Sequence, residues 1–142
     1  MSSIVRFFVA SPSDATASRA RGPNASLRSV TYGNFDAEEA LLDWESRLTG
    51  GTFDRLLEGG GPEVVAEDEG GPTVFLLSDA LLGELASLSD VRIGDTAAWW
   101  TEKKARDGFP IDLPVALRIL QDVVRLVREE RPAGENVYCW TG

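Results

Sequence analysis

The stretch Ser3-Ile4-Val5-Arg6-Phe7-Phe8-Val9-Ala10 is a run of β-branched and aromatic residues closed by Ser11-Pro12-Ser13, the pattern of a strand that ends in a turn. Its apolar side chains, Ile4, Val5, Phe7, Phe8 and Val9, are nearly continuous rather than alternating. Both faces of such a strand are expected to be covered, which places it at the centre of a sheet. The chain closes on a second run of the same character, Asn136-Val137-Tyr138-Cys139-Trp140-Thr141. A closing strand pairs with one already formed, and the hydrophobic first strand is its expected neighbour.

Between these two runs the chain is punctuated by caps and glycines. Residues 12–25 are small and polar and read as a short, weak helix or a loop, and residues 27–32 alternate well enough for a second strand before Gly33. Asp36 stands three residues before Glu39, a capping spacing, and a helix follows over 37–48 with Leu41, Trp44 and Leu48 on one face. Gly50-Gly51 ends it, and Thr52 caps one further turn through Phe53, Leu56 and Leu57. Residues 63–66 and 73–77 read as a hairpin across Glu67-Asp68-Glu69-Gly70-Gly71-Pro72. Ser78 caps a helix with a stripe of Leu81, Leu82, Leu85 and Leu88, and Ser89 or Asp90 caps the next, which runs to about Arg106. The strongest helix is the last, capped by Asp112, with Leu113, Leu117, Leu120, Val124 and Val127 at helical spacing. The expected fold is α+β in a single domain over residues 1–142. A small mixed sheet of about four or five strands is covered mainly on one face by three or four helices, and the C-terminal strand pairs back into it.

Composition narrows the function classes. At 142 residues, 43% hydrophobic and 26% charged, the chain fits one ordinary globular core and neither a disordered nor a membrane protein. Its longest apolar runs, such as Val74-Phe75-Leu76-Leu77, fall far short of the ~20 residues that cross a bilayer. The start, Met1-Ser2-Ser3-Ile4-Val5-Arg6, lacks the pattern of a secretory signal, and the single cysteine, Cys139, excludes an intrachain disulfide and a thiolate zinc cluster; a cytoplasmic protein is expected. There is no histidine, which removes serine–histidine–acid triads, cysteine–histidine pairs and histidine-bearing zinc motifs. The net charge of -9 is concentrated: residues 36–90 hold fourteen acids and two bases. Such a field repels phosphate backbones and anionic lipid, so neither nucleic acid nor membrane is expected as a partner, whereas a basic protein fits.

Three passages carry a resemblance: Asp43-Trp44 leading to Leu48-Thr49-Gly50, Phe75-Leu76-Leu77-Ser78 opening a helix, and the long last helix followed by an apolar terminal strand. In this layout the chain resembles the YfbM-like family of uncharacterised bacterial proteins, and its idiom resembles short acidic proteins of actinobacteria. The resemblance implies a cytosolic α+β domain and carries no activity, cofactor or site residue with it.

Carboxylates are the only plentiful catalytic side chains left. Asp36, Glu39 and Asp43 fall on or near one helix face and are placed to line a cleft, although capping explains Asp36, the helix N-terminus explains Glu39, and solvation explains Asp43. Glu67, Asp68 and Glu69 lack calcium-loop spacing and read as a solvated turn, and Gly59-Gly60-Gly61-Pro62 lacks the lysine and hydroxyl residue of a phosphate loop. Cys139 has no histidine to activate it and reads as a small buried hydrophobe. The tryptophans point instead to binding. Trp99 and Trp100 are adjacent on a helix and diverge by about 100°, so one of them is expected to be exposed near Lys103 and Arg106, or beside the acidic helix with Trp44. The candidate binding residues are therefore Asp36, Glu39, Asp43, Trp44, Trp99 and Trp100, with no catalytic residue, metal or cofactor assigned. Two readings stand: a non-catalytic binding module (inhibitor, immunity or regulatory protein) that holds a basic protein through its acidic surface and an exposed tryptophan, and a small-molecule site or hydrolase built on carboxylates.

Overall fold

A computed structural model describes residues 4–142. The first strand, β1 (Ile4–Ala10), alternates its side chains between two cores: Val5, Phe7 and Val9 point into one, Phe8 and Ala10 into the other. That division is why its sequence is apolar at nearly every position. The expected first residue of this strand, Ser3, lies outside the described residues. A short helix, α1 (Pro12–Ala17), follows, capped by the Ser11 hydroxyl, which accepts from the Asp14 backbone N–H at 3.2 Å. The chain then crosses to β2 (Ser29–Gly33), α2 (Ala37–Thr49), α3 (Phe53–Glu58) and the hairpin β3 (Glu63–Glu67) and β4 (Thr73–Leu76). Three helices, α4 (Asp79–Ala86), α5 (Asp90–Arg106) and α6 (Leu113–Arg128), lead to the closing strand β5 (Asn136–Thr141).

The sheet order is β2-β1-β5-β4-β3. β5 inserts between β1 and β4, pairing Phe7 with Cys139 on one side and Phe75 with Cys139 on the other. The expected pairing of the two hydrophobic end strands is therefore present. All four strand pairs are antiparallel, which corrects the mixed sheet expected from the sequence. The reason lies in the α4–α6 excursion, which returns the chain beside the end of β4, where Leu76 faces Tyr138, so that β5 runs back along β4.

The helices α2, α4, α5 and α6 cover one face, and their apolar stripes close the larger core through Leu41, Trp44, Leu85, Trp100, Leu120 and Val124. The other face is covered by α1 and the segment after it, over Phe8, Tyr138 and Trp140, where the Trp140 indole donates to the Arg19 carbonyl at 2.8 Å. The helices begin where hydroxyl or carboxylate caps stand: Asp36 accepts from Glu39 N–H at 3.0 Å, Thr52 from Arg55, Ser78 from Leu81 and Ser89 from Arg92. Asp112 holds the N-cap position of α6 without a side-chain capping bond, so the start of that helix rests on Pro114 in its first turn and on its apolar face instead. Leu113, expected on that face, is exposed.

Candidate functional site

Five charged groups meet where the first half of α2 lies against the end of α5. Lys104, 4% exposed, donates to Glu39 Oε1 at 2.8 Å. Lys103 Nζ lies 3.0 Å from Asp43 Oδ1, 3.0 Å from Asp107 Oδ2 and 3.8 Å from Glu39 Oε1. The Asp43 contact is an ion pair off the directions of a hydrogen bond, and Asp43 Oδ2 has no hydrogen-bond partner. Asp43 is fully buried, which corrects the solvated position expected for it. Glu39 and Asp43 stand one turn apart on α2, and it is the two lysines of α5 that turn this stripe inward.

The electrostatics follow from burial. Desolvation pushes the Asp43 carboxyl above the usual aspartate range, against the pull of Lys103. Burial also works to lower Lys103, but the carboxylates of Asp43 and Asp107 outweigh it and hold the ammonium above its ordinary value. The Lys103 hydrogen bond holds exposed Asp107 below its ordinary value.

The tryptophans divide differently from expectation. Trp44 and Trp100 are both fully buried, with ring centroids 5.1 Å apart at 80°; Phe7 stacks on Trp44 at 5.7 Å and Phe35 meets Trp100 edge-on at 5.6 Å. These two rings are core, and the expectation that Trp44 or Trp100 offers an exposed surface is corrected. Trp99 diverges from Trp100 as helical geometry requires and is half-buried, with the Arg47 guanidinium 5.3 Å from its ring. The widely exposed aromatic ring is Phe109, 71% exposed and 5.5 Å from the Lys104 ammonium. Nothing in its sequence context marked Phe109, since its exposure follows from how the α5–α6 connection is laid out.

Two clefts open on this side of the molecule. One, of about 590 Å³, surrounds the start of α2 and is lined by Asp36, Glu38, Glu39, Phe75, Lys104 and Phe109 among others. The second, of about 310 Å³, lies between α2, α3, α4 and β4, and is lined by leucines together with Glu45, Glu63, Ser78 and Asp79. They adjoin at Glu38: its carboxylate lines the first, and a Cβ placed on Gly61, which lines the second, would lie 3.5 Å from Glu38 Oε1. Asp36 and Glu39 thus share a cleft as expected, and Asp43 lines neither.

This geometry does not prepare a carboxylate pair for acid/base work. Asp36 is engaged by the backbone of α2, Glu39 by Lys104, and Asp43 is shut away from both clefts. Ser78 donates its hydroxyl proton to Glu45 while capping α4. In the acidic turn, Asp68 pairs with Arg19 at 2.9 Å. Among the described residues, no group of three or more cysteine, aspartate or glutamate side chains is placed to hold a metal ion, and no helix is long and apolar enough to cross a membrane. Burial pushes the Cys139 thiol well above the ordinary range, which leaves it protonated and unreactive.

No family model matches the chain, and no curated protein and no solved structure matches it either. The resemblance to the YfbM-like family finds neither support nor contradiction there.

Proposed function

We propose that this chain is a non-catalytic cytosolic binding module, an inhibitor, immunity or regulatory protein, that holds a basic protein partner on the acidic surface around the two clefts. The observation that carries this reading is unneutralised charge. Asp36, Glu38, Asp54, Glu58, Glu63, Glu67, Glu69 and Asp79 are all exposed, and none makes an ion pair among the described residues. The two bases inside the same segment do not offset them: Arg47 lies over Trp99, and Arg55 stands alone on α3. Lys103 and Lys104 are already engaged by Glu39, Asp43 and Asp107. Opposite charge on a partner would speed encounter and fix its orientation. The aromatic ring offered beside this surface is that of Phe109, in place of a tryptophan.

A carboxylate hydrolase draws less support, because Asp36, Glu39 and Asp43 are each committed to a structural contact. The test is capture by the immobilised chain from native lysate at about 50 mM and about 500 mM salt, conditions that differ threefold in screening length. A basic protein retained in stoichiometric amount at low salt and released at high salt is the expected result. Empty capture at both concentrations would contradict the reading.

A further inference from the structure

The cavity between α2, α3, α4 and β4 has one kind of wall and one sign of charge. Its volume is about 310 Å³, at the small end of ligand-sized cavities. Leu41, Leu42, Leu56 and Leu81 supply aliphatic wall, and among the described residues no aromatic ring lines it. Its charged side chains are Glu45, Glu63 and Asp79, with no lysine or arginine among the lining. None of these three carboxylates makes an ion pair among the described residues. Glu45 Oε1 accepts the Ser78 hydroxyl. Leu56 is the residue of α3 that lines the cavity, and α3 buries none of its side chains, so a guest would cover apolar surface that the fold itself leaves half-open.

We propose that this cavity takes the side chain of a lysine presented by the partner, an inference that rests on the basic-partner reading above. A lysine stem is unbranched and apolar and matches leucine walls, while its ammonium carries three donors and finds three carboxylates and no cation among the lining residues. Arginine fits less well. Its planar guanidinium gains most from stacking on ring faces and from bidentate contact, and this cavity has no ring. The larger cleft is the poorer host for any cation, because an entering charge would meet the Lys104 ammonium already seated against Glu39.

Butylammonium chloride, a lysine side chain without its backbone, is the probe, followed through the leucine methyl resonances of the whole chain. Saturable shifts are expected at Leu41, Leu42, Leu56 and Leu81, with a dissociation constant on the order of 1–10 mM for so small a ligand. Glu45→Gln, which keeps an acceptor for Ser78, is expected to weaken binding about fivefold, the worth of a partly exposed ion pair. Should that variant fail to fold, exposed Glu63→Gln carries the same test. Glu102→Gln, exposed on α5 and lining neither cleft, is expected to change nothing. Butanol and butylguanidinium are expected to bind at least about fivefold more weakly.

Absence of saturable shifts, or an equal response to butanol, overturns the lysine site; a salt-sensitive basic partner found by capture would then leave the basic-partner reading standing. Butylammonium binding in a chain that retains no basic protein overturns the basic-partner reading and, with it, lysine as the source of the guest.

Discussion

Replacing Asp43 by asparagine tests how the α2–α5 charge network is balanced. The side chain is fully buried, one oxygen has no partner, and the other has only an ion pair with Lys103 at 3.0 Å. A buried acceptor without a hydrogen bond costs about 1–3 kcal/mol, and more when it is charged, and a quarter-exposed lysine offsets about 1 kcal/mol of it. The balance is at least about 1 kcal/mol against the ionised form in the folded state, in the same direction as the raised pKa of Asp43. A carboxyl whose folded pKa exceeds its unfolded value holds its proton more tightly when folded. Its contribution to stability is complete below the unfolded value of about 3.9 and is lost as pH rises through the folded value. Asparagine has no such proton to lose, and Lys103 keeps Asp107. Measured by urea unfolding from about pH 3.5 to about pH 7, Asp43→Asn is expected to gain on the wild type by about 1 kcal/mol, or about 3 °C in Tm. A variant that instead falls behind the wild type as pH rises would show that the Lys103 pair outweighs desolvation, and would refute this account of the network.

The adjacent tryptophans are expected to behave as opposites: Trp100→Ala removes a fully buried ring that meets Trp44 and Phe35 and costs about 3–5 kcal/mol, whereas Trp99→Ala, at a half-buried site, costs about 1 kcal/mol. Equal losses in chemical denaturation would contradict the assignment of one ring to the core and one to the surface. Gly50 closes α2 at φ 76° with nothing within 4 Å of a Cβ built on it, so Gly50→Ala costs about 1 kcal/mol from backbone strain alone. Gly50→Asn costs less, and a null effect in both would count against the left-handed cap. Asp36→Ala removes the bond to Glu39 N–H and lowers stability by about 1 kcal/mol, with helical signal lost from α2.

Much of the fold was legible because local chemistry and tertiary structure agree in it. Ser78, Ser89, Thr52 and Asp36 cap the helices whose starts they marked. The continuous apolar run of β1 meant burial on both faces, and the terminal strand paired with it. Strand direction was less legible, since β4 and β5 are separated by three helices and no local signal says which end of the sheet the chain returns to. The site was half legible. Asp36 and Glu39 do line one cleft, but a helix face bearing Glu39 and Asp43 reads as solvated until Lys103 and Lys104, some sixty residues later, are set against it. Trp44 shared a face with Leu41 and Leu48 and belonged with them in the core, where it meets Trp100.

The most direct test of the basic-partner reading is reversal of the surface that carries it. Asp36→Lys, Glu38→Lys and Glu63→Lys combined change three exposed side chains around the two clefts and leave the core untouched. Capture from native lysate is run with this variant beside the wild type, with thermal unfolding as the check on folding. The account predicts that the folded variant loses the basic protein retained by the wild type at low salt. Retention of the same protein by the folded variant would contradict it, because the acidic surface would then not be the one that binds.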